Sequence, residues 1–310
     1  MKLIRSFRTR LFVSFLLASL LPLLLCSAML LQIFRLQMDA QTDNESDAQL
    51  THVIAALDGL YDGFRQTSLA LKASPYVAPS LVQGQRDSAM VYNELYSATE
   101  GSRSSAQFDL YDRDGTWCYS TNSLPVSAQM STQWGILYAA RQTDGLVFSQ
   151  VDGGESSSAP LFQGAAQITT SDGQAAGYLV ITMTRNHFRQ LLDGTYSSQN
   201  DLLLLNQYWR PVYSSLSSLS DTLAPLLREK LLEGKALYGE DDDYAYATAL
   251  QEEMGLYAIL QHPQALNQST RGLLTTVTVG SALVCVVISI FMGLRLSRQM
   301  FYPLERLHNA

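Results

Sequence analysis

Residues 108–122 read FDLYDRDGTWCYSTN, a strand, a tight turn and a second strand, with Asp114-Gly115 supplying the positive φ that the turn needs. Downstream, STQWGILYAARQTDG (131–145) predicts a short helix closed by Asp144-Gly145, and LVFSQV (146–151) a strand. PLFQGAAQITTSDGQAAGYLVITMT (160–184) is a second hairpin, turned at Asp172-Gly173, whose last strand Gly177–Thr184 is the most apolar. RNHFRQLLDG (185–194) then reads as a helix stopped by Gly194.

A shorter version of the same order follows. NDLLLLNQYWRPVYSS (200–215) predicts two strands with a turn near Tyr208, and DTLAPLLREKLLEG (221–234) a helix capped by Asp221 and ended by Gly234. DDDYAYATAL (241–250) and MGLYAILQHP (254–263) add two more strands. Upstream lies a helical stripe of Leu50, Val53, Ile54, Leu57, Leu60, Tyr61 and Phe64, spaced by three and four so that one face is apolar. That helix is expected from residue 39 to 74, ending before Pro75. The fold class is therefore α+β: two modules in series on a long N-terminal helix.

Two apolar runs flank this body. Leu11–Phe34 holds 24 residues without a charge and Leu273–Leu294 holds 22, each long enough to cross a hydrocarbon core of about 30 Å. The first exceeds the h-region of a signal peptide, and Leu23, Leu24 and Leu25 are too bulky for a cleavage site before Cys26. Lys2, Arg5, Arg8 and Arg10 precede the first run; Arg295, Arg298 and Arg306 follow the second. Basic flanks stay in the cytoplasm. The expected organisation is a basic cytoplasmic tail at 1–10, transmembrane helices at 11–34 and 273–294, an extracytoplasmic segment at 35–272 and a cytoplasmic tail at 295–310.

Charge and cysteine usage agree with that topology. The whole chain carries a net charge of −7, but 35–272 alone has 14 basic against 27 acidic side chains, a net −13. Such acidity argues against a nucleic-acid partner. Cys118 is alone in the exterior segment, so packing rather than a disulfide must hold it.

FDLYDRDGTWCYSTN, GYLVITMTRNHFRQLL and NDLLLLNQYWRPVYSS together resemble the double Cache sensor domain of bacterial transmembrane receptors, two PAS-like modules stacked on a long helix. MFYPLERLHNA (300–310) resembles the opening of a HAMP linker, with Pro303, Leu304 and Leu307 at the signal-transmission positions. The resemblance implies a membrane-distal module at about 75–195 and a membrane-proximal one at about 196–265. It further implies a homodimer and a two-component sensor histidine kinase whose catalytic half lies past residue 310 and addresses a cytoplasmic response regulator. A chemotaxis receptor, a diguanylate cyclase with the same front half, or an anchored binding protein without output are the alternatives.

No catalytic constellation is visible, and no cofactor is expected. His52, His187, His262 and His308 lack metal-ligand spacing, and no phosphate loop occurs. The run Glu240, Asp241, Asp242, Asp243 lacks the alternating ligands of a calcium loop. The chain as given is not expected to be an enzyme.

The aromatic set of the first module is the better lead: Tyr111, Trp117, Tyr119, Trp134, Tyr138 and Phe148, with Asp109 and Asp152 as polar anchors. The resemblance places the ligand between the distal sheet and the short helix. Trp134 stands where many double Cache domains carry an Arg-x-Trp-Tyr pattern for amine or amino-acid ligands, but Thr132 and Gly135 occupy its other positions. An aromatic-lined, mostly neutral pocket would then suit a sugar or another small polar metabolite. Filling a core is the competing use of the same rings.

Overall fold

The computed structural model describes residues 2–83, 88–122, 129–151, 160–215, 238–240, 244–263, 272–273, 275–292 and 295. The chain divides into two compact units: Glu45–His262, and Met1–Asn44 together with Pro263–Ala310. Helix α1 (Lys2–Ala73) is continuous over 72 residues and starts far upstream of residue 39. The polar stretch at 38–50 contains neither proline nor glycine, so nothing interrupts the backbone ladder there. Among the described residues, one helical window, Thr275–Met292, is long and apolar enough to cross a bilayer, and Leu25–Phe34 is a shorter apolar stretch. The expected helix at 221–234 and the residues Asp152, Pro303, Leu304 and Leu307 lie outside the described residues.

Within the folded unit, α2 (Val77–Gln83) and α3 (Ser88–Ala98) follow α1. Neither is expected from the sequence. They are short, and Pro79 disguises α2, although a first helical turn tolerates proline. Then come β1 (Gln107–Asp112), β2 (Trp117–Ser120), α4 (Gly135–Arg141), β3 (Val147–Gln150), β4 (Pro160–Thr169), β5 (Ala175–Thr184) and α5 (Arg185–Leu192). The second set is β6 (Asp201–Asn206), β7 (Pro211–Ser214), β8 (Tyr238–Glu240), β9 (Tyr244–Gln251) and β10 (Leu256–Pro263). Strand β8 is an addition to the expected elements.

Two five-stranded antiparallel sheets result, ordered β2-β1-β5-β4-β3 and β7-β6-β10-β9-β8. The two orders are the same permutation, which makes the sheets structural repeats. The likeness extends to single atoms in the first hairpin of each. Asp112 Oδ1 accepts from the backbone N–H of Asp114 and Thr116, and Asn206 Oδ1 accepts from those of Tyr208 and Arg210. Three residues past each anchor the backbone takes a positive φ, 83° at Gly115 and 62° at Trp209. Each hairpin also carries a bulge, between Leu110 and Tyr111 and between Leu204 and Leu205.

The core lies between one face of each sheet and α1. The apolar stripe of the helix is buried as its spacing predicts: Leu50, Val53, Leu57, Leu60 and Phe64 are buried, with Ile54 and Tyr61 packed at the margin. Phe64 meets Phe108 edge to face at 5.7 Å. Each such buried side chain contributes roughly 1.5–3 kcal/mol. A ladder of rings, Phe148–Phe162–Phe188–Tyr213, runs from the first sheet through α5 to the second.

Gly177 shows how tightly β5 is seated. A Cβ there would lie 2.2 Å from the Tyr111 carbonyl oxygen and 2.9 Å from Leu81 Cδ1. Backbone cannot give way as a side chain can, so Gly177→Ala is expected to destabilise by about 1–3 kcal/mol. Gly101→Ala, with nothing within 4 Å, is the matched control and should leave the melting temperature unchanged or raised.

Candidate ligand-binding site

The first sheet has a second face, turned away from α1 and covered in part by α4. Strand register arranges this face in three rows. The first contains Gln107, Thr182 and Gln163; the second Ser120, Asp109, Val180 and Ala165; the third Trp117, Tyr111, Tyr178 and Gln167. Helix α4 lays Ile136, Leu137 and Ala140 against Ala165, Tyr178 and Val180. Polar side chains thus border one end, aromatic rings the other, and a carboxylate sits between.

Asp109 is only 4% exposed. Gln107 Nε2 donates to both of its carboxylate oxygens at 3.0 Å, and Asn122 Nδ2 donates to Gln107 Oε1 at 3.3 Å, which orients the amide. Ser120 adds a hydrogen bond, and the Trp117 indole N–H faces the same carboxylate. That indole N–H is buried and makes no hydrogen bond of good geometry. The one ion pair among the described residues is the exposed Arg113–Asp114, so no described cation neutralises Asp109. Burial pushes the Asp109 carboxyl above its ordinary 3.8, against the opposing pull of Ser120, Gln107 and Trp117. Tyr111, buried beside it, is pushed up to about 12 by desolvation first and the Asp109 charge second.

The sign of the resulting pH dependence follows. A carboxyl that holds its proton more tightly when folded favours folding fully below 3.8, and that contribution is lost as pH rises through the raised folded value. The stability difference between Asp109→Asn and the unchanged protein should therefore widen in the variant's favour as pH climbs above about 4. Melting curves taken from pH 3 to 8 check this.

The residues proposed from sequence separate into groups. Asp109 and Tyr111 lie together on this face, with Trp117 stacked on Tyr111 at 6.4 Å. Tyr119 is on the opposite face, in the core against Tyr92. The bulge is the reason: Leu110 pairs with Tyr119 and Tyr111 with Trp117, so Cys118 is the extra residue and the alternation breaks there. Phe148 also turns to the core side, stacked on Phe162. Trp134 is 73% exposed and Tyr138 47%, so neither ring faces the sheet with Tyr111. Gln107, Ser120 and Tyr178 join the cluster without having been anticipated. The pairing of a central acidic position with an apolar neighbour strand was the available signal.

The second sheet supplies an internal comparison. Its equivalent of Asp109, by register and by position before the shared turn, is Leu203. Leu203 is buried with Leu205, Tyr246 and Ile259 in an apolar cluster. The same scaffold is thus built with leucine at this point, and nothing about the sheet requires an acid.

No family model and no curated protein matches the chain. Solved structures match its fold. The ligand-binding domain of the Campylobacter jejuni chemoreceptor Tlp3, in complex with L-valine, aligns with a TM-score of 0.53 at 13% identity, covering 73% of this chain and 94% of that one. The sensor domain of the V. cholerae histidine kinase DctB aligns with a TM-score of 0.51 at 16% identity, covering 75% and 98%. The extracellular domain of vpHK1S-Z8 reaches 0.57 at 15% identity, covering 72% and 97%. At these identities the likeness is one of fold. The matched structures are sensor and ligand-binding domains.

Proposed function

We propose that the chain is the ligand-sensing input half of a transmembrane receptor, and that its ligand docks on the Asp109 face of the first sheet. The observation that carries this reading is the contrast between Asp109 and Leu203. A buried acid without a counter-ion costs stability, and the repeated scaffold does without it. A ligand that brings a cationic or donor-rich group would repay that cost. Tyr111, Trp117 and Tyr178 would receive its apolar part or, for an ammonium, its charge. This shifts the expected ligand from a neutral sugar toward a small amine or amino compound. The Tlp3 domain, which has the same fold, is solved with L-valine and with L-norvaline.

The apolar runs 11–34 and 273–294 serve in this reading as two membrane anchors, with 35–272 outside and both termini in the cytoplasm. Modules at about 75–195 and 196–265 are the distal and proximal halves of a double Cache domain. Pro303, Leu304 and Leu307 open a HAMP linker, two chains pair along the long helix, and the output is a histidine kinase acting on a response regulator. Chemoreceptor and kinase sensors both share the fold, and the coding sequence after residue 310 separates them. A phosphoacceptor helix followed by an ATP-binding domain supports the kinase; a methyl-accepting hairpin replaces it with the chemoreceptor.

A thermal-shift screen of the full chain in detergent tests the site. Amines and amino acids form one arm, sugars and organic acids the others. A compound from the first arm should raise the melting temperature of the protein but not of Asp109→Asn. Stabilisation that is equal in both, or that comes from sugars alone, would overturn the amine reading.

A further inference from the structure

The chain enters the folded unit at Glu45 and leaves it at His262. Four side and main chains join these two points. Ser197 N donates to Gln49 Oε1 at 3.0 Å, Asn200 Nδ2 donates to the same oxygen at 2.8 Å, and His262 Nδ1 lies 2.6 Å from Asn200 Oδ1. Gln49 belongs to α1, Ser197 and Asn200 to the turn before β6, and His262 to the end of β10.

One donor in this chain is unambiguous, and it settles the rest. The Ser197 N–H is backbone and can only donate, so Gln49 presents its oxygen. An oxygen must receive a donor from Asn200, so Asn200 presents its Nδ2 and turns Oδ1 toward His262. That oxygen can only accept, so His262 presents an Nδ1–H to it. The other end of the Gln49 amide agrees, with Nε2 donating outward to Glu45 Oε1 at 3.3 Å. The polarity therefore runs one way, from His262 through Asn200 to Gln49.

We infer that Gln49, Asn200 and His262 form a directional lock that holds the exit of the second sheet against the entry helix. While it is closed, the chain ends leaving the unit are fixed to each other. Opening it frees the end of β10 from the entry helix. Its use in signalling rests on the receptor reading above, but its existence does not, and the test needs no ligand.

The test exploits polarity. Spin labels are placed at Asp47→Cys and Gln199→Cys in the full chain in nanodiscs, with Cys26, Cys118 and Cys285 replaced by serine. The unchanged lock should give one narrow distance. His262→Gln keeps a donor toward Asn200 and should retain that distance. His262→Glu, nearly the same size but an acceptor at neutral pH, should lose it. Gln49→Glu, made together with Glu45→Gln so that no carboxylate faces it where Gln49 Nε2 now donates, should be tolerated, because both partners of the Gln49 oxygen donate; Gln49→Leu should lose the narrow distance and the hydrogen-exchange protection of the Ser197 amide. A role in packing alone would treat glutamine and glutamate alike at 262. Equal behaviour of that pair, or a Gln49→Glu chain as loosened as Gln49→Leu, overturns the lock. The Gln49 pair decides the matter if His262→Glu does not fold.

Discussion

Replacing Phe188 by alanine is expected to cost about 3–5 kcal/mol, the range for truncating a fully buried phenylalanine. Phe188 is fully buried in α5, with Phe162 of the first sheet 6.2 Å from its ring and Tyr213 of the second 5.8 Å away. Its removal opens a cavity where the two sheets share a core. The melting temperature should fall by roughly 6–20 °C for a unit of this size. Phe188→Leu keeps most of the volume and should cost less than about 1.5 kcal/mol. Calorimetry of the three proteins decides the point. A Phe188→Ala protein that melts within a degree or two of the unchanged one would show that the ring ladder is not what joins the sheets.

The second large effect is on binding. Asp109→Asn should weaken an amine or amino-acid ligand by at least about tenfold, because a hydrogen bond to a charged group contributes roughly 1.5–3 kcal/mol. The same change should leave the ligand-free protein as stable at neutral pH, or more so, since the desolvated charge is gone. Asp109→Leu copies what the second sheet already has at Leu203. It should fold while abolishing the response. Titration calorimetry with the compound found in the screen, run beside melting curves, separates the outcomes. Loss of stability with ligand affinity retained would make Asp109 a structural acid and remove the site.

Much of the architecture was legible before any coordinates. The stripe from Leu50 to Phe64 announced a helix with one buried face, and Asp114-Gly115 and Asp172-Gly173 marked hairpin turns. The glycines there take φ of 83° and 76°. These are local signals, set by residues a few positions apart. The short helices α2 and α3 were not legible, since seven and eleven residues carry little periodicity and depend on contact with β5 and α1. The candidate face was legible only in part. Asp109 and Tyr111 share it, whereas Tyr119 and Phe148 turn to the core and Trp134 and Tyr138 are exposed, because place in the chain does not report which way a ring faces.

The amino-acid order by itself determined a long helix followed by two α+β sets, an acidic body and two apolar runs, because helical spacing, turn residues and hydropathy act over short stretches of chain. Only the tertiary structure decided which side chains share a face. One bulged residue at Cys118 sends Tyr119 into the core and leaves Trp117 beside Asp109. Where a strand slips by one position is set by its partner strand, and that partner lies tens of residues away.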